Sequence, residues 1–302
     1  MKKAKAIVIL LRLPFLTVTV GAVLLGSAFA CWHRGQFNTL HFILALIGSC
    51  FFHIATNVAN DYFDFKSGAD AVNVSGTTPF SGGSRMILEG FVSPDQALLV
   101  SIIFALLGSA IGLYLNFVTE ANAILIIGML AVIFIYGYNG VPLKLVNKGL
   151  GELAIFTAWG PLIVLGSYYV QVESFPSFWP LIVAIPSGLM TTLVLLINEF
   201  ADRDADASVG RRTWVILLGF KKSLRLYLCL ALLCYVIVIL GILFGNWPLL
   251  SLLVFVTIPL PFLAYKAGSQ SLGKWTAFLA AVKATILMNF LFLVILSVSF
   301  WI

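Results

Sequence analysis

A chain of 302 residues that is 61% hydrophobic and only 10% charged, with a mean hydropathy of +1.06, has too little polar surface to coat a soluble globule. The formal net charge of +6 comes from Lys and Arg placed between apolar runs. It therefore reports topology in a bilayer and calls for no nucleic-acid partner.

Crossing the hydrocarbon core takes about 20 apolar residues as a helix, and stretches of that length recur along the whole chain. The pattern predicts an all-α integral membrane protein, one domain over 1–302. About nine transmembrane helices fall at 13–32, 41–57, 96–117, 121–139, 152–171, 178–198, 223–244, 248–266 and 280–301. The long unbroken runs argue against barrel strands, which alternate in short segments.

In chain order, a basic start precedes the first span, which ends in GSAFA. That combination also fits a cleaved signal peptide, but the later spans favour retention. Span two runs into NVANDYFDFKSGAD, Asn57 to Asp70, with three aspartates and two asparagines in fourteen residues. The connection 58–95 is expected to form a cytoplasmic cap, since loops of that length are uncommon and often functional. Within it, TPFSGGSR offers Gly82 and Gly83, whose backbone could approach an anion closely or simply form a loop. Span four leads into YGYNGVPLKLVNKGLGE, Tyr136 to Glu152. Span six leads into the motif loop 199–222, which begins EFADRDADASVG and carries Glu199, Asp202, Asp204 and Asp206.

Every Lys and Arg except Arg34 falls at the N-terminus, in an even-numbered connection or around the last one. The positive-inside rule then places a multi-pass protein in the cell membrane, with its N-terminus and both acidic segments cytoplasmic. Cys31, Cys50, Cys229 and Cys234 lack metal-ligand spacing and read as small buried hydrophobes. His33, His41 and His53 form no cluster and read as interfacial or internally satisfied. Trp159 falls outside the interfacial belt and is expected inside the bundle.

Residues three or four apart share a helix face. If span two continues as a helix, Asn57, Asp61 and Asp64 form one stripe, with Asn60 beside Asp64. If span six does the same, Asn198, Asp202 and Asp206 form a second, and Asp204 points away. Carboxylates on one face repel each other, so something cationic must compensate. Mg2+ suits the role, taking oxygen from one or two carboxylates and filling its shell with water and substrate phosphate. Two facing clusters could hold two such ions around a diphosphate. The alternative is that both are solvated helix ends. Arg85, Lys144 and Arg212 are candidate diphosphate contacts or ordinary positive-inside charges, and Tyr138 either orients an acceptor or packs. An ion-coupled transporter would put its acids near the bilayer midplane, and these lie at span ends. An alcohol phosphatidyltransferase would join its aspartates in one motif, and these clusters lie about 140 residues apart.

With those motifs in view, the chain resembles the UbiA superfamily of intramembrane prenyltransferases over almost its whole length. The shared features are nine helices, an N-D-x-x-D motif at Asn60, Asp61 and Asp64, and a D-x-x-x-D motif at Asp202 and Asp206 continuing into SVGRRT. DYFDFKSGAD and ADRDADASVGRRT are similar to the branch that prenylates 1,4-dihydroxy-2-naphthoate in menaquinone synthesis. The loop Tyr136 to Glu152 resembles that family's loop after helix four. Many members have a third aspartate where this chain has Gly68, with Asp70 two residues on. The resemblance implies Mg2+-dependent transfer of a polyprenyl group from polyprenyl diphosphate to an aromatic acceptor. 1,4-Dihydroxy-2-naphthoate comes first, with 4-hydroxybenzoate, homogentisate or a lipid glycerol phosphate as alternatives. It makes Asp61, Asp64, Asp202 and Asp206 catalytic and, with Asn60 and Asn198, the metal set. Asn57, Asn60, Arg85, Tyr138, Lys144, Asn198 and Arg212 would then bind substrate.

Overall fold

Gly35 ends one helix in the left-handed conformation that costs glycine least, φ 65°, and Asn38 starts the next, its side chain accepting the His41 N–H at 3.1 Å. The computed structural model describes residues 3–72, 83–119, 122–174, 177–271 and 275–302. Its helices are α1 (Lys3–Leu10), α2 (Leu16–Arg34), α3 (Thr39–Ser67), α4 (Ala69–Val72), α5 (Pro94–Val118), α6 (Ala123–Gly137) and α7 (Gly151–Thr157). They continue as α8 (Ile163–Val172), α9 (Trp179–Ser208), α10 (Trp214–Leu218), α11 (Phe220–Phe244), α12 (Pro259–Ser271) and α13 (Trp275–Ser299). Among the described residues, eight apolar helical stretches are long enough to cross a membrane, and α6 is a shorter ninth. The protein is thus a multi-pass, all-helical membrane protein.

Several spans depart from simple rods. The first apolar stretch covers Ala4–Arg34 rather than 13–32, and Arg12 breaks it with φ 51° before a short 3-10 turn, Leu13–Phe15. The fifth passes through a π-helical segment, Ala158–Leu162, that accommodates Pro161, a residue without an N–H to give an α-helix. The eighth starts as a 3-10 helix, Leu249–Thr257, and becomes α12. The fourth span is only 15 residues long, about 22 Å. It ends at the turn before the cis Val141–Pro142 bond. By contrast α3 and α9, with 29 and 30 residues, are each about 44 Å long against about 30 Å of hydrocarbon. Both acidic motifs lie on these helices, which keep their regular form through Ser67 and Ser208.

The main core joins α2, α8, α9, α11 and α13 around Phe29, Tyr168, Leu193, Tyr227 and Phe292. Buried hydroxyl pairs tie helices across it, Tyr227 to Thr285 and Tyr235 to Thr257, each at 2.7 Å. A smaller cluster packs Leu10 of α1 against Val58 of α3 and against Met86, Ile87 and Val92. The described end of the 58–95 connection therefore folds back on the first motif helix; Gly82 lies outside the described residues. Cys234 is buried, whereas Cys229 is on the outer surface and corrects the expectation of four buried cysteines. Trp159 is inside the bundle.

Small residues set the closest helix approaches, as in membrane bundles generally. A Cβ at Gly26 would lie 2.3 Å from the Val164 carbonyl oxygen, whereas one at Gly112 would meet nothing within 4 Å. Gly26→Ala is therefore expected to cost ~1–3 kcal/mol through overpacking. It should lower the thermal unfolding midpoint in detergent, and Gly112→Ala should leave it unchanged. Equal midpoints for the two variants would contradict this packing account.

Candidate active site

The last turns of α3 and α9 lie at the same end of the bundle and face each other across a cavity of about 320 Å3. Asn57, Asn60 and Asp64 line it from α3, and Asn198, Asp202 and Asp206 from α9. Asp61, Asp64 and Asp206 are buried, and Asp204 is exposed, as the spacing argument expects. Away from this end the wall is mostly apolar, and on α3 it runs back from Asp64 to Leu44, about 30 Å of helix rise. Gly112 and Gly128 line it where a Cβ would meet nothing, which keeps the bore open.

Arg211 joins the two motifs. One guanidinium nitrogen donates to Asp64 Oδ1, and another donates to Asp206 Oδ1 at 2.7 Å. Burial alone would lower its proton affinity, but the carboxylates of Asp64 and Asp206 outweigh that and hold it above its usual value. Asn139, in the turn after α6, donates to Asn60 Oδ1 at 2.6 Å and to Asp64 Oδ1 at 3.3 Å; Asn60 donates to Asp64 Oδ2 at 2.9 Å. On the other side, Asp61 Oδ2 accepts the Ser84 N–H at 3.0 Å, and Arg12 Nη1 stands 3.6 Å from its Oδ1. Asn57 helps hold that arginine's turn by donating to the Leu11 carbonyl at 3.3 Å.

The donor set fits a hard cation. Among the described residues, Asp61 Oδ1 and Asn198 Oδ1 are buried with no hydrogen-bond partner. Gly83 brings its backbone so near that a Cβ there would lie 3.2 Å from Asp61 Oδ1 and 3.3 Å from Asp70 Oδ1. Asp70 is pushed up to about 8, first by burial and then by the Asp64 and Asp61 carboxylates. Like charges about 4 Å apart repel by ~4 kcal/mol at an effective dielectric near 20, so such crowding favours a positive partner. Among the described residues no three His, Cys, Asp or Glu side chains converge into a complete metal cage. That suits a cation that takes one or two carboxylates per motif and fills its shell with water and phosphate.

The other expected contacts are distributed differently. Tyr138 lines the cavity. Arg85 lies 3.9 Å from Glu89 and close enough to Asp70 to ease its negative charge. Lys144 and Arg212 are exposed outside the cavity wall, and the Arg212 N–H donates to the Val146 carbonyl at 3.0 Å. Arg211 takes the place expected of Arg212. Gly210, at φ 79°, turns the chain after α9, and Asn147 fixes that turn by donating to the Gly210 carbonyl at 2.9 Å. Sequence reasoning also passed over Asn139, whose signal was its position in the YGYN turn, and assigned Arg12 to topology alone.

A model of the UbiA prenyltransferase family matches residues 19–298. The chain belongs to that family. Among curated relatives of this UbiA-family prenyltransferase is the 1,4-dihydroxy-2-naphthoate octaprenyltransferase of Haemophilus influenzae. It is 30% identical over 230 residues, 73% of this chain and 72% of the relative. Among solved structures, a digeranylgeranylglyceryl phosphate synthase superposes with a TM-score of 0.65 at 21% identity, over 100% of this chain and 99% of that one. A UbiA homologue from Archaeoglobus fulgidus bound to GPP and Mg2+ does so with a TM-score of 0.59 at 15% identity, over 96% and 99%. These likenesses show that the bundle has the UbiA fold.

The geometry ranks two neighbouring arginines. Arg211→Gln should reduce kcat/KM by about 100-fold, because it strips preorganised positive charge from the site. Arg211→Lys should restore only part, since an ammonium lacks the fork that reaches both carboxylates. Arg212→Gln should stay within about threefold of the parent, as an exposed charge contributes little. The reverse order, in variants that elute like the parent on gel filtration, would contradict the assignment.

Proposed function

We propose that this prenyltransferase moves a polyprenyl group from polyprenyl diphosphate to an aromatic acceptor, 1,4-dihydroxy-2-naphthoate in the first instance, with two Mg2+ ions. The observation that carries the reading is the junction of Asp64, Arg211 and Asp206 at one end of an otherwise apolar cavity. A charged diphosphate fits the polar end, and the mostly apolar space beyond it suits hydrophobic substrate parts, an isoprenoid tail among them.

Asn60, Asp61, Asp64, Asn198, Asp202 and Asp206 would hold the ions, which neutralise a diphosphate and make it a better leaving group. Arg211 and Arg12 add positive charge where that group departs. The C1–oxygen bond of the donor breaks, its electron pair leaves with the diphosphate, and the ring carbon forms the new bond to C1. Aromaticity returns when that carbon loses a proton or, for a carboxylated naphthoate carbon, loses carbon dioxide. Apolar walls beside the site keep water from capturing the allylic cation. The naphthoate acceptor is favoured by the Haemophilus influenzae relative and by the DYFDFKSGAD and ADRDADASVGRRT motifs. The Lys and Arg distribution favours a cytoplasmic N-terminus, which puts the polar end of the cavity on the cytoplasmic side.

The test is a reconstituted assay with labelled polyprenyl diphosphate, Mg2+ and a panel containing the naphthoate, 4-hydroxybenzoate, homogentisate and glycerol phosphate lipid acceptors. The naphthoate should be prenylated with the highest kcat/KM, and Asp64→Ala and Asp206→Ala should abolish turnover. Preferred prenylation of another acceptor would overturn the naphthoate assignment. Turnover without added Mg2+ and in the presence of EDTA would overturn the metal assignment.

A further inference from the structure

Deeper in the same cavity than the carboxylates, the mostly apolar wall carries one imidazole among the described residues. His53 of α3 is 6% exposed and lines the cavity, eight residues before Asp61 and so about 12 Å further in. Its ring is tied on one side only. Trp159 Nε1–H donates to Thr19 Oγ1 at 2.9 Å, and Thr19 Oγ1 lies 2.7 Å from His53 Nδ1. Thr19 is fully buried.

The direction of this chain follows from its first member. An indole nitrogen can only donate, so Thr19 Oγ1 accepts the Trp159 hydrogen. The hydroxyl's own hydrogen then needs an acceptor, and among the described residues its other partner is His53 Nδ1. Nδ1 therefore accepts, and the neutral ring carries its proton on Nε2. A ring protonated at Nδ1 would instead press a second donor on Thr19 and leave the hydroxyl hydrogen without a place. Nε2 has no hydrogen-bond partner among the described residues.

The relay is held in position from both sides. Trp159 sits in the π-helical segment of the fifth span, a backbone irregularity that recurs at functional sites. Its carbonyl accepts the Ser187 hydroxyl of α9 at 2.7 Å. Its ring meets the His53 ring edge to face, with centroids 4.9 Å apart.

We propose that His53 is an acceptor-binding residue whose Nε2–H donates a hydrogen bond to an oxygen on the aromatic acceptor, and that Thr19 and Trp159 are positioning residues that fix its tautomer. The inference rests on the prenyl-transfer reading above and names the wall that orients the second substrate. A diphosphate next to Asp61 and Asp64 leaves the intervening two turns of α3 for a ring, whose oxygen meets His53. A ring held there by a fixed donor presents a chosen carbon to C1 of the donor, which an apolar wall cannot do. A neutral donor also suits this depth, since an imidazolium in the bundle interior would lack a paired anion.

The experiment joins a spectroscopic and a kinetic readout on the full chain in lipid nanodiscs. The protein has three histidines, so 15N-histidine labelling with His53→Gln as the assignment control isolates one ring. His53 is expected as a single tautomer protonated at Nε2, and Thr19→Val is expected to yield a mixture of both. In the prenyl-transfer assay, His53→Leu should raise KM for 1,4-dihydroxy-2-naphthoate about tenfold, the weight of one buried hydrogen bond. KM for the polyprenyl diphosphate should stay within about twofold of the parent. His53→Gln should restore most of the acceptor affinity, because its amide nitrogen reaches the position of Nε2. A proton on Nδ1, an unchanged acceptor KM in an active His53→Leu enzyme, or an equal rise in both KM values would overturn the inference. Absence of transfer in the parent protein would instead overturn the reaction itself.

Discussion

Asp64 and Asp206, from helices separated by more than 100 residues of chain, share one guanidinium at the end of a cavity inside an apolar bundle. Buried carboxylates in such surroundings are costly unless positive charge meets them. Much of the local architecture serves that need. Helices α3 and α9 are long enough to carry their acids past the hydrocarbon, the left-handed residue Arg12 breaks the first span and brings a guanidinium near Asp61, and the Gly210 turn swings Arg211 inward. Arg211 neutralises the site only in part: Asp70 stays raised to about 8, and among the described residues Asp61 Oδ1 has no hydrogen-bond donor. That residual negative character is what a divalent cation with a diphosphate would complete.

The polar end and the apolar bore divide the work between two kinds of chemistry. Charge is concentrated at one end of the cavity, while the wall beyond it is mostly apolar. Glycine appears in both roles along the way. Gly26 and Gly83 permit close approach, one between helices and the other between a loop and two carboxylates, whereas Gly112 and Gly128 leave space. A relay of Trp159, Thr19 and His53 sets a neutral donor into a lining that is mostly apolar and otherwise carries only hydroxyls, such as those of Ser49, Thr56 and Thr191, among the described residues away from the carboxylate end.

The spans and the second acidic stripe were legible in the sequence, because apolar length and a spacing of four residues survive without knowledge of packing. Asp204 pointed away from the site for the same reason. In the first stripe Asn60 rather than Asp61 joins Asn57 and Asp64 on the cavity wall, and Asp61 turns to Ser84 and Arg12. What escaped were features that depend on where a helix stops. Arg211 and Arg212 are neighbours, and only the turn at Gly210 decides which one points in. Arg12 looked like one more cytoplasmic charge because a positive φ at a non-glycine residue leaves no trace in composition. The π-helical segment, the short α6 and the lipid-facing Cys229 likewise follow from tertiary packing. His53 reads in the sequence as interfacial or satisfied; it is buried, and only half satisfied: Nδ1 has its partner, and Nε2 has none among the described residues.

On this reading the paired acidic motifs bind a diphosphate through metal rather than merely closing the bundle. Isothermal titration of the protein in nanodiscs with a non-reactive polyprenyl thiodiphosphate tests it without relying on turnover. Binding should require Mg2+, and Asp64→Asn or Asp206→Asn should weaken it by about 10-fold or more, each losing a charged ligand. Equal affinity in EDTA, or parent-like affinity in both variants, would show that the motifs do not bind diphosphate through metal.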